Sequence, residues 1–378
     1  RRDLLLGFAD ARGGSSVFRA FTAEADGRAT DVKRDMYRGG LLMRVSVPRG
    51  ARLIRIAYTI NPTYFPPGGT RQSPADARSR VTAELAVVRT ASLLPVLDAL
   101  GSTFRVRFVL PDGWVAVTPW EADGEGWRAP ADVDAGLEYL EFGPFAIREL
   151  FAGDNRILLA TAQAGEMPNL PFEAILRREI ELLAAPLRRS GTLTAIVVPA
   201  SFMQGGAAGR HTIVQAPSPV VLAHEVFHWW NDSSMTAADA GWFREGLTEF
   251  YGIRIARETG AWTVEQEAGC LADLDTEMRR IEARGRPQTL VAASLDPDAS
   301  RLVYSKGALF WLLADRQLRG AGRYLEEAVR RVLAGDRTGL TTGDLRATFA
   351  ETYGGLLDSA FDRYVVGTEP LPDLGLGP

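Results

Sequence analysis

The sequence predicts an α+β protein, β-rich in its first part and helical in its last part. Apolar and polar side chains alternate over residues 53–60 and 104–110. Alternation with a period of two puts one set of side chains on the buried face of a strand. In the last third, apolar residues recur at helical spacing, and glycines stand where helices are expected to end, at Gly260, Gly320 and Gly354. These two periodicities together indicate the α+β class.

The remaining elements follow in chain order. A helix with charged residues between its apolar positions is expected at residues 171–188. A short apolar strand follows at residues 193–198, and a glycine-rich stretch at residues 205–209. Two helices are expected next, at residues 219–231 and 240–257. The last third is expected to be helical throughout, with helices near residues 261–284, 301–319, 322–333, 343–353 and 356–365.

Composition excludes several classes of protein. The chain has 378 residues, 46% of them hydrophobic, and a net charge of −4. This balance is typical of a globular protein, and it lacks the basic excess of a nucleic-acid-binding protein. A single cysteine, Cys270, excludes an internal disulfide and a cysteine-based zinc site. No apolar run approaches the roughly 20 residues of a membrane-spanning helix. The oligomeric state is left open by these observations.

The segment from His224 to His228 has the pattern H-E-x-x-H. Residues four apart lie on one face of a helix, so both histidines can bind one metal ion. Glu225, next to the first histidine, can then take a proton from water at the metal. Ser218 and Pro219 are suited to begin such a helix. The alternative is a helix whose histidines are ordinary core or interface residues.

A second segment, which contains Glu245 and Glu249, follows the H-E-x-x-H segment. A catalytic zinc site needs a third protein ligand and keeps one position open. Glu245 lies beyond a loop on the next expected helix, so we predict one zinc ion per chain bound by His224, His228 and Glu245. Glu249, one turn later, is interpreted as a partner of a ligand histidine, with a solvated helix face as the alternative.

These motifs resemble the gluzincin metallopeptidases, which include thermolysin and the large zinc aminopeptidases. The run from His224 to Asn231 is similar to the H-E-x-F-H-x-W-N motif of the glycyl aminopeptidases, and the run from Trp242 to Thr248 to their W-x-x-E-G-x-T. The segment around Tyr304 and Lys306 resembles their Y-x-K-G, and the resemblance implies that Tyr304 binds the oxyanion. Lys306 is then expected to be structural.

The resemblance also implies an organisation in domains. We expect a β-sandwich-like domain over residues 1–148, a thermolysin-like zinc catalytic domain over 149–260 and a helical domain over 261–378. The PDZ domain of many members is not expected here. The resemblance slightly favours an extracytoplasmic location, in the periplasm or secreted, over the cytoplasm. It implies a peptide or protein substrate.

One feature departs from the family pattern. The aminopeptidases have a glutamate in a glycine-rich segment, where it binds the free amine of the substrate. The matching residues here, Gly205 to His211, include no acidic residue, and none stands between Glu181 and Glu225. An unpaired buried ammonium group costs several kcal/mol. The difference favours an endopeptidase, or an aminopeptidase whose amine is bound elsewhere.

The same segment offers other groups to a substrate. Gly205 and Gly206 would let the backbone pair with an extended peptide, and Arg210 and His211 would favour an anionic group. An exposed loop without such a role is the alternative.

Three functional hypotheses follow. The first is a zinc peptidase with Glu225 as general base. The second is a binding or scaffold protein that keeps the fold without turnover. The third is a zinc-dependent amide hydrolase acting on a non-peptide. Trp229, Trp230 and Trp242 could line its cleft, although aromatic residues beside helical motifs are more often core.

Overall fold

The computed structural model describes most of the chain. Contacts within it define two compact units, one from residues 1–167 and 190–216 and the other from residues 168–189 and 217–378. The first holds the strands and the second nearly all the helices, which confirms the predicted α+β class. The division into three domains stays a prediction. The described residues are 2–8, 18–37, 40–60, 79–94, 96–97, 104–129, 138–152, 154–163, 170–183, 191–203, 205–232, 234–285, 287–335 and 337–376.

The first unit contains the strands and one short helix, α1 (Thr90–Leu93). The strands before residue 100 are β1 (Arg2–Phe8), β2 (Phe18–Ala25), β3 (Arg28–Ala29), β4 (Val32–Tyr37), β5 (Gly40–Val47), β6 (Ile54–Ile60), β7 (Arg80–Val81), β8 (Ala86–Arg89) and β9 (Val96–Leu97). The later strands are β10 (Phe104–Val106), β11 (Val115–Val117), β12 (Glu121–Asp123), β13 (Gly126–Ala129), β14 (Tyr139–Gly143), β15 (Phe145–Ala152), β16 (Asn155–Ala162), β17 (Thr192–Val197), β18 (Gly206–Ala208) and β19 (Thr212–Gln215).

Within the described residues these strands form five sheets. Their orders are β4-β5-β1-β9, β3-β2-β6, β10-β13-β12, β11-β14-β8-β7 and β15-β16-β17-β19-β18. In the five-stranded sheet, β16, β17 and β19 run parallel, whereas the outer strands β15 and β18 run antiparallel to their neighbours. The glycine-rich segment is therefore partly an edge strand, β18.

The sheet of β11, β14, β8 and β7 has a core on each face, because successive side chains along a strand point in opposite directions. One core contains Val87 and Tyr139 together with Ile196 and Val214 of the five-stranded sheet. The other contains Val88, Leu140 and Phe142. A third core lies between β1, β2, β5 and β6.

The first of these cores encloses a carboxyl group. Glu141 lies opposite Val87 and Val117 in the strand register and is fully buried. Neither of its carboxyl oxygens has a hydrogen-bond partner. Burial raises the pKa of Glu141 well above its ordinary value, and the nearby charge of Glu138 raises it further. The structure thus favours a neutral acid at this position.

The second unit is helical. Its α-helices are α2 (Phe172–Leu183), α3 (Pro219–Phe227), α4 (Thr248–Glu258), α5 (Val264–Arg284), α6 (Leu290–Leu295), α7 (Ser300–Gly320), α8 (Glu326–Ala334), α9 (Thr342–Tyr353) and α10 (Asp358–Ala360). Two 3₁₀ turns (Ala238–Ala240 and Pro297–Ala299) and two π-helical turns (Trp242–Leu247 and Phe361–Val365) connect or extend them. None of the helices in the described part is both long and apolar enough to span a membrane. The extracytoplasmic location stays a prediction.

Most predicted elements of the second unit are present, with different ends. The helix expected at 219–231 stops at Phe227, and the one expected at 240–257 begins as a π-helical turn. The end of the helix expected at 171–188 lies outside the described residues. In the first unit, the strand expected over 104–110 ends at Val106, because only three residues pair with β13 and Val109 is 92% exposed.

An aromatic cluster forms the core of the second unit. Trp242 stacks on Trp311, with ring centroids 5.4 Å apart, and packs edge-on against Phe310 and Phe361. Trp229, Trp230 and Trp242 are all at most 1% exposed. These tryptophans are therefore core residues and do not line an open cleft.

Candidate metal centre

Helix α3 carries the first half of the site. Pro219 occupies its first turn, where no backbone donor is needed, and the Ser218 hydroxyl accepts from the backbone of Val221. His224 lies in the helix, and His228 caps its end with helical backbone angles. The two imidazoles therefore stay on one face, with their Nε2 atoms 3.2 Å apart.

The π-helical turn Trp242–Leu247 carries the second half. It packs against α7 so closely that a Cβ on Gly246 would lie 2.6 Å from the Cα of Gly307. Short π-helical turns are rare and are frequent at functional sites. This one brings Glu245 to the histidines, with Oε2 at 3.6 Å from His224 Nε2 and 3.5 Å from His228 Nε2.

These three atoms fit a zinc ion. Their separations of 3.2, 3.5 and 3.6 Å are close to the edge of a zinc tetrahedron, which is about 3.3–3.4 Å for bonds of about 2.0–2.1 Å. Among the described residues, this is the group of three side chains able to hold a metal. Two imidazoles and one carboxylate are also the donor set of many catalytic zinc sites.

Both imidazoles are oriented through their other nitrogen. His224 Nδ1 lies 2.8 Å from Glu249 Oε2, and His228 Nδ1 lies 2.9 Å from the backbone carbonyl oxygen of Asn231. Both partners are acceptors, so each Nδ1 carries the proton and each Nε2 can offer a lone pair. Glu249 thus contacts a histidine instead of lying on a solvated face.

The Asn231 side chain connects the two halves of the site. It is fully buried, and its Nδ2 donates to the carbonyl oxygens of Phe243 and Arg244 and to Thr248 Oγ1, at 3.4, 3.0 and 3.1 Å. Its backbone carbonyl holds His228. One residue therefore fixes a histidine ring and also the turn that carries Glu245.

Two further side chains hold the carboxylate of Glu245. The Tyr304 hydroxyl donates to Oε2 and Arg244 Nε donates to Oε1, both at 2.8 Å. The Tyr304 ring stacks on His224 with centroids 5.8 Å apart. Tyr304 as a whole residue is 37% exposed, whereas its hydroxyl lies against the Glu245 carboxylate in a buried environment.

Charges in the site shift several pKa values. Burial raises the pKa of Glu225, and His224 and His228, when protonated in the absence of a metal, oppose that effect without cancelling it. Burial raises the pKa of Tyr304 well above its ordinary value, and Glu245 raises it further, so the phenol keeps its proton. For Glu245, burial is outweighed by both histidines, and its pKa is lowered well below the ordinary value.

The glycine-rich segment belongs to the first unit. There, His211 is held by the buried carboxylate of Glu138, which accepts from its backbone N–H and lies 2.6 Å from its Nδ1. The Thr212 hydroxyl donates to the same carboxylate. Glu138 is thus fully engaged within the sheet. The substrate roles predicted for Gly205, Gly206, Arg210 and His211 stay predictions.

Sequence reasoning assigned no role to three residues near the donor triad. Asn231 and Arg244 contribute through contacts that no periodicity reveals. Glu179 on α2 is fully buried with both carboxyl oxygens unpartnered; burial raises its pKa, although the charge of His224 opposes this effect. Glu179 lies among the apolar positions of that helix, between Ile175 and Leu182, and this spacing in the sequence could have indicated that it is buried.

Comparison with solved structures identifies the fold of the chain. No protein-family model and no curated protein matches the sequence. An aminopeptidase N family protein from Idiomarina loihiensis superposes with a TM-score of 0.76, at 17% identity, over 99% of this chain and 73% of its own. The chain has the fold of the M1 zinc metallopeptidases.

Two further structures agree. An M1 zinc metallopeptidase from Deinococcus radiodurans, a glutamate-to-alanine variant bound to a Tyr-Ser-Ala substrate, has a TM-score of 0.60 and 17% identity, covering 98% of this chain and 88% of its own. Yeast LTA4 hydrolase in complex with bestatin has a TM-score of 0.57 and 18% identity, covering 98% of this chain and 63% of its own. At such identities the likeness concerns the fold.

Proposed function

We propose that the chain is a zinc-dependent peptidase, with one zinc ion held by His224, His228 and Glu245. The observation that carries this proposal is the triangle of donor atoms, whose edges of 3.2 to 3.6 Å match a zinc site. The fold likeness supports it, and one protein of the same fold binds a Tyr-Ser-Ala substrate.

When bound, zinc polarises a carbonyl group and lowers the pKa of a coordinated water to about 7. The protein supplies the proton transfer. Glu225 stands next to His224 and is 6% exposed. A carboxylate in this position, shielded from bulk water, can act as a general base toward water at the metal. We assign it to accept the proton of the attacking water and to deliver it to the leaving amine.

Tyr304 is assigned to the developing oxyanion. Its hydroxyl now donates to Glu245 Oε2, so the donor already lies at the edge of the triad. Its raised pKa keeps the phenol protonated over the neutral range. A protonated phenol can redirect its hydrogen bond to a carbonyl oxygen that gains negative charge during attack.

The absence of acidic residues between Glu181 and Glu225 favours an endopeptidase. Glu138, the acidic residue that contacts the glycine-rich segment in the described structure, already accepts from His211 and Thr212. It offers no free carboxylate to a substrate amine, which would have to be desolvated without a partner. An aminopeptidase would need an amine-binding group elsewhere in the chain.

A cleavage profile tests both levels of the proposal. The purified protein, with its zinc content measured, is incubated with matched free and N-acetylated peptides, with and without a chelator. We expect internal cleavage of both peptide sets and its loss on chelation. Cleavage restricted to free N-termini would overturn the endopeptidase assignment. A fully zinc-loaded protein that cleaves no peptide would overturn the peptidase and favour a scaffold or a hydrolase of non-peptide amides.

A further inference from the structure

The two oxygens of the Glu245 carboxylate have different partners. Oε2 faces the histidine Nε2 atoms and accepts from Tyr304. Oε1 accepts from Arg244 Nε at 2.8 Å. Of the three donor groups, this carboxylate alone could offer a metal either one atom or two. The difference between one and two decides how many coordination positions the protein leaves open.

The contact between Arg244 and Glu245 is not an ordinary consequence of helical geometry. Neighbouring residues in a helix point about 100° apart and do not normally meet. Here the two lie in a π-helical turn, and the guanidinium folds back onto the carboxylate of the next residue. The backbone carbonyl of Arg244 is itself fixed by Asn231 Nδ2 and Thr248 Oγ1. The arginine is therefore anchored at its main chain before it binds Glu245.

Within the part of the chain that the structure describes, the Arg244 guanidinium pairs with one carboxylate. That carboxylate is Glu245, and the arginine side chain is 28% exposed. A charge-assisted hydrogen bond of 2.8 Å is short and strong compared with a neutral one. It binds Oε1 to the guanidinium, while Oε2 is the oxygen near the histidine nitrogens.

We propose that Arg244 is a positioning residue that keeps Glu245 bound to the metal through one oxygen. This inference rests on the proposed zinc site. Catalytic zinc takes three protein ligands and keeps a fourth position for water or substrate. A carboxylate that binds through both oxygens would crowd that position. Arg244 thus preserves the open position by occupying Oε1.

The test replaces Arg244 and reads the metal directly. In Arg244→Met, Oε1 is released, and we expect X-ray absorption of the zinc protein to show one more oxygen ligand than in the wild type. The cobalt-substituted protein should show weaker visible absorption, as four-coordinate geometry is lost. Peptide cleavage should fall about 10- to 100-fold, the usual range for outer partners of metal ligands. Arg244→Lys, which restores a cationic donor, should recover the wild-type spectrum.

Controls separate this effect from a loss of structure. Arg257→Met removes an arginine of the same unit whose nearest acidic partner, Glu267, is 3.9 Å away, and it should leave spectrum and cleavage unchanged. Arg244→Gln also lacks the positive charge and is too short to reach Glu245, so we expect the same extra oxygen ligand as in Arg244→Met. It replaces Arg244→Met if that variant does not fold. An unchanged coordination number in the folded, zinc-loaded variants would overturn the inference and leave the proposed function standing. A wild type that holds zinc but cleaves nothing would overturn the function instead, while the spectra still decide the role of Arg244.

Discussion

Replacement of Asn231 should weaken both the fold and the metal site. The residue is fully buried, and its amide faces two backbone carbonyls and the Thr248 hydroxyl. That hydroxyl already donates its own proton to the carbonyl of Arg244. All three partners are therefore acceptors, and only the NH₂ group can satisfy them.

The size of the effect follows from these contacts. The bonds to Arg244 O and Thr248 Oγ1, at 3.0 and 3.1 Å, are well formed, whereas the one to Phe243 O is long at 3.4 Å. Each good bond contributes about 0.5–1.5 kcal/mol, and buried acceptors left without a donor cost more. We expect Asn231→Ala to lower the free energy of unfolding by about 2–4 kcal/mol. Asn231→Asp, which has nearly the same shape but cannot donate, should be at least as destabilised.

The metal site provides a second measurement. Because Asn231 fixes the turn that carries Glu245, its loss should reduce zinc affinity by about 10- to 100-fold. Chemical unfolding and a competitive zinc titration measure the two effects. The control is Asn155→Ala, since the Asn155 amide donates to the carbonyl oxygen of Ala152 at a long distance of 3.5 Å. If both Asn231 variants matched the control in stability and in zinc affinity, the proposed bridging role would be refuted.

Two further predictions concern packing and pH. Gly246→Ala should destabilise the protein by about 1–3 kcal/mol in a thermal unfolding assay, because the new Cβ would lie 2.6 Å from Gly307 Cα. The control is Gly269→Ala on an open face of α5, which should be neutral or stabilising in that assay. Folded Glu141 keeps its proton to higher pH than the unfolded chain does, so this residue removes stability as the pH rises above its ordinary pKa. Glu141→Gln should therefore have a higher Tm than the wild type at pH 8 and no such advantage at pH 4, and an equal difference at both pH values would contradict a buried neutral acid.

The donor triad could be predicted from local spacing. The spacing of four positions from His224 to His228 sets both rings on one helical face, and this holds although α3 ends before His228. Glu245 follows after a loop, and Glu249 one turn later reaches His224. These relations depend on helical geometry within short segments, which the sequence expresses directly.

The remaining features depend on contacts between distant segments. The π-helical turn arises where Gly246 meets Gly307 of α7, and neither residue alone indicates that approach. The amide of Asn231 reaches carbonyls twelve and thirteen residues away. The strand expected at 104–110 is short because β13 pairs with only its first three residues. Tertiary packing overrides local pattern in each case.

The most direct test of the zinc peptidase mechanism is Glu225→Gln, assayed for bound zinc and for peptide cleavage together. The amide keeps the shape of the side chain but cannot accept the proton of water. We expect one zinc ion per chain, as in the wild type, and cleavage reduced by about 10²- to 10⁴-fold. Glu84→Gln, an exposed site of the first unit, is the matched control and should retain full activity. A Glu225→Gln protein that binds zinc and cleaves peptides at the wild-type rate would contradict the mechanism.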